Sequence, residues 1–412
     1  MARSGGSSQI VSETFSALRN YNYRLWFIGQ LISLVGTWMQ ATAQGYLLYT
    51  LTGSSAYLGY VGFIGGVPTW LFTLYGGVVA DRISRRLLLL ITQVSMMLLA
   101  FIMAGLLFSH TIQPWMILVM AFFLGTANAF DAPVRQAFVP ELVPPEDMTN
   151  SIALNSTLFN TGAVVGPAAA GIAYAAFGAG WCFTLNGISF IAVIIALLMM
   201  RLQPFTPPER KSTALEDIKD GFIYVRSNPT MLLFISAIGV IGAFGFSLTT
   251  LFPAWSVKIL HGDVTTNGLL MSARGLGALI AALMIAAFSA RRMRGKLWTI
   301  GSFILPVTMG ILALVHWLPL TLILLVGVGW GLMTMANNGN ALVQSQVSNA
   351  YRGRVMSIYT LVFFGVAPLG ALLVGTLASK AGEPVAVLFN AVMMAVFAIF
   401  IWFRKPELRK MS

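Results

Sequence analysis

The chain has 412 residues, of which 57% are apolar and only 9% are charged, and its net charge is +12. A soluble domain has about 25% charged residues, and surface-to-volume scaling gives no soluble core that could hide this much apolar surface. The composition therefore excludes a soluble protein. The basic residues lie in short clusters between apolar runs, which favours a role in membrane topology over nucleic-acid binding.

Twelve apolar runs are long enough to cross a bilayer, since a spanning helix needs about 20 residues. Each run is continuous rather than alternating, which indicates helices with internally satisfied backbones. The predicted spans are 23–50, 55–81, 86–108, 114–138, 150–177, 180–200, 229–258, 267–289, 296–315, 319–345, 354–379 and 384–403. The predicted fold class is an all-α membrane protein with twelve transmembrane helices in two six-helix bundles.

The 25 lysines and arginines indicate the orientation of these spans. With a cytoplasmic N-terminus, 22 of them lie in cytoplasmic segments, while Lys258 and Lys380 lie in outside loops and Arg274 lies within a span. Cytoplasmic segments are enriched in Lys and Arg. The sequence therefore predicts a multi-pass protein with both termini in the cytoplasm.

A long polar break divides the spans into two sets of six. The predicted organisation is a cytoplasmic segment 1–22, a bundle 23–201, a linker 202–228, a bundle 229–403 and a tail 404–412. Within the linker, Thr213 and Glu216 fit a capping box. Apolar residues at helical spacing follow, which predicts a helix on the cytoplasmic face; they are Leu215, Ile218, Phe222 and Val225.

The stretch "GVVADRISRR" between spans two and three contains an acid that topology does not explain. Asp81 lies at the edge of the hydrocarbon region, where a carboxylate needs a partner. The neighbouring arginines and the positive end of another helix are both available as partners. The acid and the basic residues near it are candidate gating residues, together with one glycine: Gly77, Asp81, Arg82, Arg85 and Arg86.

This stretch resembles the signature of the loop between helices two and three in the major facilitator superfamily. The family's usual last glycine is replaced by Ser84, which bears on the turn. The resemblance implies that Asp81 bonds to the start of helix eleven, near 353–357, in the outward-open state. It would then act as a conformational latch rather than as a substrate site.

The stretch "GAVVGPAAAG" in span five resembles the antiporter motif of the superfamily's exporters. Gly162, Gly166, Pro167 and Gly171 occupy its positions. Glycines four residues apart allow close helix packing, and the proline removes one backbone hydrogen bond and bends the helix. Ordinary helix packing is the alternative interpretation of the same residues.

The segment 127–167 resembles the branch that contains the enterobactin exporter, and the resemblance extends over essentially the whole chain. It implies alternating access and proton-coupled efflux in a bacterial inner membrane. The substrate stays open, because the branch includes siderophore exporters, macrolide and multidrug pumps, and transporters of lysophospholipids.

The sequence contains no GxxxxGK[ST] phosphate loop and no HExxH or paired Cys/His cluster. We therefore expect no ATP hydrolysis, no enzyme activity, no cofactor and no metal. Proton coupling needs a titratable acid, and the candidates are Asp81 and Asp131, the latter with Arg135 four residues on. The pair Asp131–Arg135 also fits a structural ion pair on one helix face.

Spans one, four, seven and ten, which line the centre in this superfamily, carry polar and aromatic residues. Arg274, in span eight, is an additional candidate, either for an anionic substrate or for backbone carbonyls and the outer surface. The candidate cavity residues are Gln40, Gln44, Asn128, Phe244, Phe246, Thr250, Arg274, Asn337, Asn338 and Asn340.

The sequence therefore predicts a monomeric secondary exporter of amphipathic small molecules, a drug or a siderophore, exchanged for protons. Its partners would be substrate, protons and membrane lipid, without nucleic acid. The alternatives within transport are a lysophospholipid flippase of the same fold and uptake rather than export, against which the span-five motif argues. A membrane receptor would need a soluble domain, and the sequence shows none.

Overall fold

The structure is a computed structural model that describes residues 15–202, 214–288, 293–348 and 351–404, without the side chains of 73–82, 214–218, 286 and 288. Twelve long helices account for most of it, and their ends lie within three residues of the predicted spans. In chain order they are α1 (Tyr21–Thr52), α2 (Ser55–Arg82), α3 (Arg85–Phe108), α4 (Pro114–Phe138), α5 (Met148–Phe177), α6 (Ala179–Met199), α7 (Pro229–Ile259), α8 (Val264–Phe288), α9 (Arg294–Leu312), α10 (Leu318–Gln346), α11 (Arg352–Ala381) and α12 (Glu383–Arg404). No strand occurs within these ranges.

Ten of these helices, α3 to α12, are long and apolar enough to cross a membrane by the described residues alone. The other two, α1 and α2, have 32 and 28 residues, which also exceeds the length of a bilayer crossing. The predicted fold class is confirmed: the protein is an all-α membrane protein. We call α1–α6 the N-half and α7–α12 the C-half.

An even number of helices places the start of α1 and the end of α12 on one side of the bundle, here called the terminal face. On the opposite face the turns are tight, and five of them contain a residue with positive φ: Gly53, His110, Gly178, His261 and Gly382. Gly53 is left-handed and directly follows α1, which is a common way to end a helix. These turns give the opposite face short loops.

Aromatic residues and hydrogen bonds hold each half together near the terminal face. In the N-half, Trp26 packs edge-on against Phe138 with 5.5 Å between ring centroids. Tyr23 donates a hydrogen bond of 2.8 Å to the backbone oxygen of Ser151, which ties α1 to α5. In the C-half, Phe234 of α7 packs edge-on against Trp298 of α9.

The two halves meet along α2 with α11 and along α5 with α8. A Cβ on Gly59 would lie 2.8 Å from the backbone oxygen of Ala371, and one on Gly268 would lie 2.5 Å from that of Pro167. Such distances leave no room for a side chain, so these helices touch backbone to backbone. Trp70 extends the α2–α11 contact by donating to the Gly365 oxygen over 3.0 Å.

A helix between the halves, Ala214–Ser227, corresponds to the predicted amphipathic helix and packs on the first turns of α11. Asp220 pairs with Arg354 over 3.3 Å, and Gly221 lies against the Arg354 backbone. Val225 is buried, whereas Phe222 is exposed. Thr213 lies outside the described residues, so the predicted capping box stays a prediction.

Candidate transport site

The two glutamines of α1 have different surroundings. Gln40 is buried, and its Oε1 accepts a hydrogen bond of 2.6 Å from Asn186 Nδ2 of α6. Gln44, one turn further along α1, is half-buried. The amide oxygen of Gln40 thus serves packing within the N-half.

Asp131 of α4 lies at the centre of a buried polar cluster. Its Oδ1 accepts hydrogen bonds from Thr92 Oγ1 at 2.8 Å and from Gln93 Nε2 at 2.9 Å, both on α3. Its Oδ2 lies 2.6 Å from Arg135 Nη2, one turn along the same helix. The Asp131 side chain is fully buried while Arg135 keeps 25% of its surface exposed. The carboxylate is therefore paired with one partly exposed cation and accepts from two neutral donors.

A groove of about 490 Å³ runs between α3 and α4 beside this cluster. Thr92, the hydroxyl partner of Asp131, is one of its lining residues. The lining also includes exposed apolar side chains of both helices, among them Ile91, Leu98 and Phe123. The groove thus lies on the outer surface of the N-half rather than between the two halves.

The seventh helix is irregular where the sequence predicts a continuous span. It passes from an α-helix to π-helical turns at Ile241–Gly245 and Trp255–Ile259, with a 3₁₀ stretch Phe246–Leu251 between them. Pro253 cannot donate to the preceding turn, and π turns are frequent at functional sites. In the sequence, the closely spaced glycines of this segment and Pro253 were the signal for an irregular helix.

The irregular backbone turns the candidate aromatic residues of α7 in different directions. The Phe244 ring packs edge-on against Phe389 of α12 at 6.0 Å, and the Phe246 ring packs against Phe363 of α11 at 5.2 Å. Thr250 is half-buried in the 3₁₀ stretch. These aromatic residues therefore belong to the contacts of α7 within the C-half.

The amide-bearing residues of α10 and α4 are placed differently from one another. Asn338 is buried and donates 2.9 Å to the backbone oxygen of Thr334, whereas its Oδ1 has no hydrogen-bond partner among the described residues. Asn337 is exposed, and Asn340 accepts from Gln344 on the same helix. Asn128 of α4 donates to the Leu124 oxygen at 3.0 Å. Of these four asparagines, Asn338 is the one that combines burial with an unsatisfied acceptor.

The glycines of the span-five motif separate into two contact faces. Gly162 and Gly166 lie against α1, where a Cβ on Gly166 would lie 2.5 Å from Trp38 Cβ. Gly171 lies against Thr265 of α8, and the Pro167 oxygen contacts Gly268. The motif therefore packs α5 against its own half and against the other half at the same time.

The basic residues at the start of α3 bind within the N-half. Arg85 pairs with Glu141 and also donates to the Ala137 oxygen at 3.2 Å. Arg86 donates to the Leu198 oxygen at 2.7 Å at the end of α6.

The position where the family usually has glycine is compatible with serine. Ser84 has a φ of −55° and its side chain accepts from the Leu87 N–H, so it caps α3. A negative φ needs no glycine. The structure does not describe the surroundings of Gly77 or the side chains of Asp81 and Arg82. The latch therefore stays a prediction.

An ionic cluster that the sequence analysis missed joins the halves at the opposite face. Glu383, the first residue of α12, is 3% exposed. Its Oε1 accepts from Ser55 Oγ of α2 at 2.6 Å and from Lys258 Nζ of α7 at 2.9 Å. The Lys258 ammonium lies 5.8 Å from the ring centroid of Tyr49 on α1. The only signal in the sequence was that Glu383 and Lys258 both lie at ends of spans that the topology places outside.

Arg274 lies in the interior of α8 and is 8% exposed. Its Nε has no acceptor, and no ion pair or hydrogen bond of its side chain is seen among the described residues. Neither alternative partner from the sequence analysis, a backbone carbonyl or the outer surface, is found there.

Twelve membrane-crossing helices in two halves, with buried polar groups and glycine-lined faces between the halves, define a membrane transporter. The chain belongs to the transmembrane secretion effector family of the major facilitator superfamily; the family model matches residues 12–412. The expected superfamily and the absence of enzyme function in this family are thereby confirmed.

The relatives are bacterial transporters of small molecules. The Staphyloferrin A transporter of Staphylococcus aureus is 26% identical over 87% of this chain and 90% of its own length. Multidrug efflux pump Tap of Mycolicibacterium fortuitum is 25% identical over 92% and 94%. Enterobactin exporter EntS of Citrobacter koseri is 24% identical over 94% and 92%.

Solved structures support the fold. A bacterial homolog of the human lysosomal transporter Spinster, in an inward-facing, unoccupied conformation, has a TM-score of 0.75, 13% identity and coverage of 95% of this chain and 97% of that one. A point mutant of the nucleoside transporter NupG gives 0.76 at 16% identity, with coverage of 93% and 99%. At these identities the likeness concerns the fold alone.

Proposed function

We propose that this protein exports amphipathic small molecules, drugs or siderophores, from the cytoplasm of a bacterium in exchange for protons. The relatives named as exporters and efflux pumps support the class and the direction. The terminal face is the cytoplasmic face in this proposal, as the distribution of Lys and Arg predicts.

The Asp131 cluster is the observation that carries the proton-coupled form. Asp131 is fully buried and Arg135 is its only ionic partner among the described residues. A proton on the carboxylate would remove the charge that holds Arg135, and the partly exposed guanidinium would then be free to move. A buried acid beside a single, partly exposed cation is the kind of group that couples protonation to a conformational change.

The closed opposite face supports alternating access. The bridge through Glu383 and the hydrogen bond from Trp70 to Gly365 both join the halves from the middle of the bundle to this face. Release of substrate to the outside requires these contacts to break. Asp81 would then latch the cytoplasmic side, which rests on the sequence resemblance alone.

Purified protein in liposomes, with an imposed pH gradient and a panel of fluorescent amphipathic dyes, tests the function. We expect accumulation of at least one dye against its own gradient, and we expect nigericin to abolish it by collapsing the pH gradient. Dye movement that ignores the pH gradient would contradict proton coupling. Movement of a fluorescent lysophospholipid without any gradient would favour the flippase instead.

A further inference from the structure

Arg274 is a buried cation near the middle of a membrane helix. It lies ten residues from Val264, the first residue of α8, which is about 15 Å along the helix axis. Its side chain is 8% exposed. A charged group at this depth is costly unless something pairs with it, and such residues mark substrate pathways more often than chance.

The faces of α8 show where this side chain lies. Leu269, Leu276 and Leu283 are exposed and mark the lipid-facing side. Arg274 lies roughly 140° to 180° around the helix from them at 3.6 residues per turn. The cation therefore faces the interior of the bundle and does not reach the lipid.

Asn267 identifies the part of the interior that this face meets. It lies seven residues, two turns, before Arg274 and so shares its face. It is fully buried, and its Nδ2 lies 3.5 Å from the backbone oxygen of Thr42 on α1. Because α1 belongs to the N-half, the face that carries Asn267 and Arg274 lies toward the space between the two halves.

Two acids of the membrane-crossing helices have cations of their own: Asp131 pairs with Arg135, and Glu383 pairs with Lys258. No acid among the described residues pairs with Arg274. The Asn267 Oδ1 also lacks a partner. A guanidinium and an amide on one face, both incompletely bonded, make a polar strip in an otherwise apolar site.

We infer that Arg274 binds a carboxylate of the exported molecule, so that the cargo is an amphipathic organic anion. A guanidinium donates two parallel hydrogen bonds to a carboxylate, and a single positive charge matches a single negative one. The apolar residues around it suit the rest of an amphipathic molecule. The inference rests on the proposed function and adds to it the charge of the cargo.

Two dansyl probes of nearly equal size test the inference. Dansyl-glycine carries a carboxylate and dansyl-glycinamide is neutral; binding is followed by energy transfer from tryptophan in detergent-purified protein. We expect the wild type to bind dansyl-glycine about tenfold more tightly or better, since a buried charge pair is worth at least that much. Arg274→Gln removes this preference, and Arg274→Lys retains most of it.

Arg294→Gln is the matched control, because it removes the same charge from the start of α9. It leaves the preference for dansyl-glycine unchanged. A wild type without preference, equal loss of both probes in Arg274→Gln, or the same loss in Arg294→Gln would overturn the inference. If Arg274→Gln fails to fold, Arg274→Lys is the deciding variant. Loss of binding of both probes in Arg274→Lys would contradict a charge-specific site.

Binding in detergent needs neither a pH gradient nor net flux. A protein that prefers the anion but does not pump would therefore contradict only the proposed function. A protein that pumps neutral dyes and shows no anion preference would contradict only the role of Arg274.

Discussion

Ser55 Oγ donates a 2.6 Å hydrogen bond to Glu383 Oε1, which joins the first residue of α2 in the N-half to the first residue of α12 in the C-half. Lys258 donates to the same oxygen and lies over the Tyr49 ring. One buried carboxylate thus brings together the ends of four helices. The two halves cannot separate at this face while that carboxylate keeps both donors.

Glu383→Gln should open the opposite face more often. The amide keeps the shape but loses the charge that attracts Lys258, and hydrogen bonds to charged groups contribute about 1.5–3 kcal/mol. We expect about a tenfold rise in the open population. Spin labels on cysteines at Thr111 and His316, which are exposed in turns of the two halves, measure the opening by electron–electron distances; the native Cys182 is buried.

Lys380→Gln is the control for that experiment, because Lys380 is an exposed cation near the same face. It should leave the distance distribution unchanged. An unchanged distribution in Glu383→Gln would show that the carboxylate does not hold the face closed.

Gly275→Ala should push the two halves apart without unfolding either. A Cβ at this position would collide with the Ala163 oxygen of α5 across the boundary between the halves. We expect the same pair of spin labels to report a longer mean distance. Gly310→Ala is the control, since its Cβ would have ordinary clearance of 4.0 Å from Ala391. A normal distance distribution in Gly275→Ala would mean that the α5–α8 contact adjusts freely.

Gly166→Ala should destabilise the N-half itself. The added methyl group would lie 2.5 Å from Trp38 Cβ and 2.7 Å from the Val35 oxygen, and overpacking of this kind costs about 1–3 kcal/mol. We expect a lower midpoint of thermal unfolding in detergent. Gly105→Ala has open space around its Cβ and should match or exceed the wild type. Equal midpoints for the two variants would argue against tight α1–α5 packing.

Asp131→Asn should separate transport from the pH gradient. The amide can still accept from Thr92 or Gln93 but cannot release a proton or hold Arg135 by charge. We expect downhill dye movement in liposomes to persist and gradient-driven accumulation to fall about tenfold or more. Coupling energies between close, buried charge pairs correspond to a change of this size. Glu146→Gln, an exposed acid on the terminal face, should retain coupling.

Full retention of pH-driven accumulation in Asp131→Asn would leave the Asp131–Arg135 pair as a structural ion pair. A loss of both downhill and driven transport would instead indicate that the cluster is needed for folding, which the unfolding midpoint would reveal.

The helices could be predicted closely because lipid demands long apolar runs, and their ends follow from charge and length. The pairing of Asp131 with Arg135 followed from their spacing on one helix. Its bonds to Thr92 and Gln93 did not, because they depend on how α3 and α4 lie side by side. Long-range neighbours are not visible in the periodicity of one segment.

Two features of the site were missed for identifiable reasons. The irregular course of α7 depends on Pro253 and nearby glycines inside a run that is apolar enough to be predicted as a regular helix. Glu383 was hidden because it sits at a helix start, where an acid is ordinarily stabilised by the helix dipole. Its contacts with Ser55 and Lys258 come from residues 328 and 125 positions away.

Asn22 holds both backbone groups of Arg201: its Nδ2 donates to the Arg201 oxygen at 2.8 Å, and its Oδ1 accepts from the Arg201 N–H at 2.9 Å. The first helix of the N-half is thereby clamped to the point where the chain leaves that half. The exit point must travel with the N-half whenever it rotates. The number of residues between Arg201 and Ala214, the first residue of the next described helix, therefore limits how far the two halves can move apart.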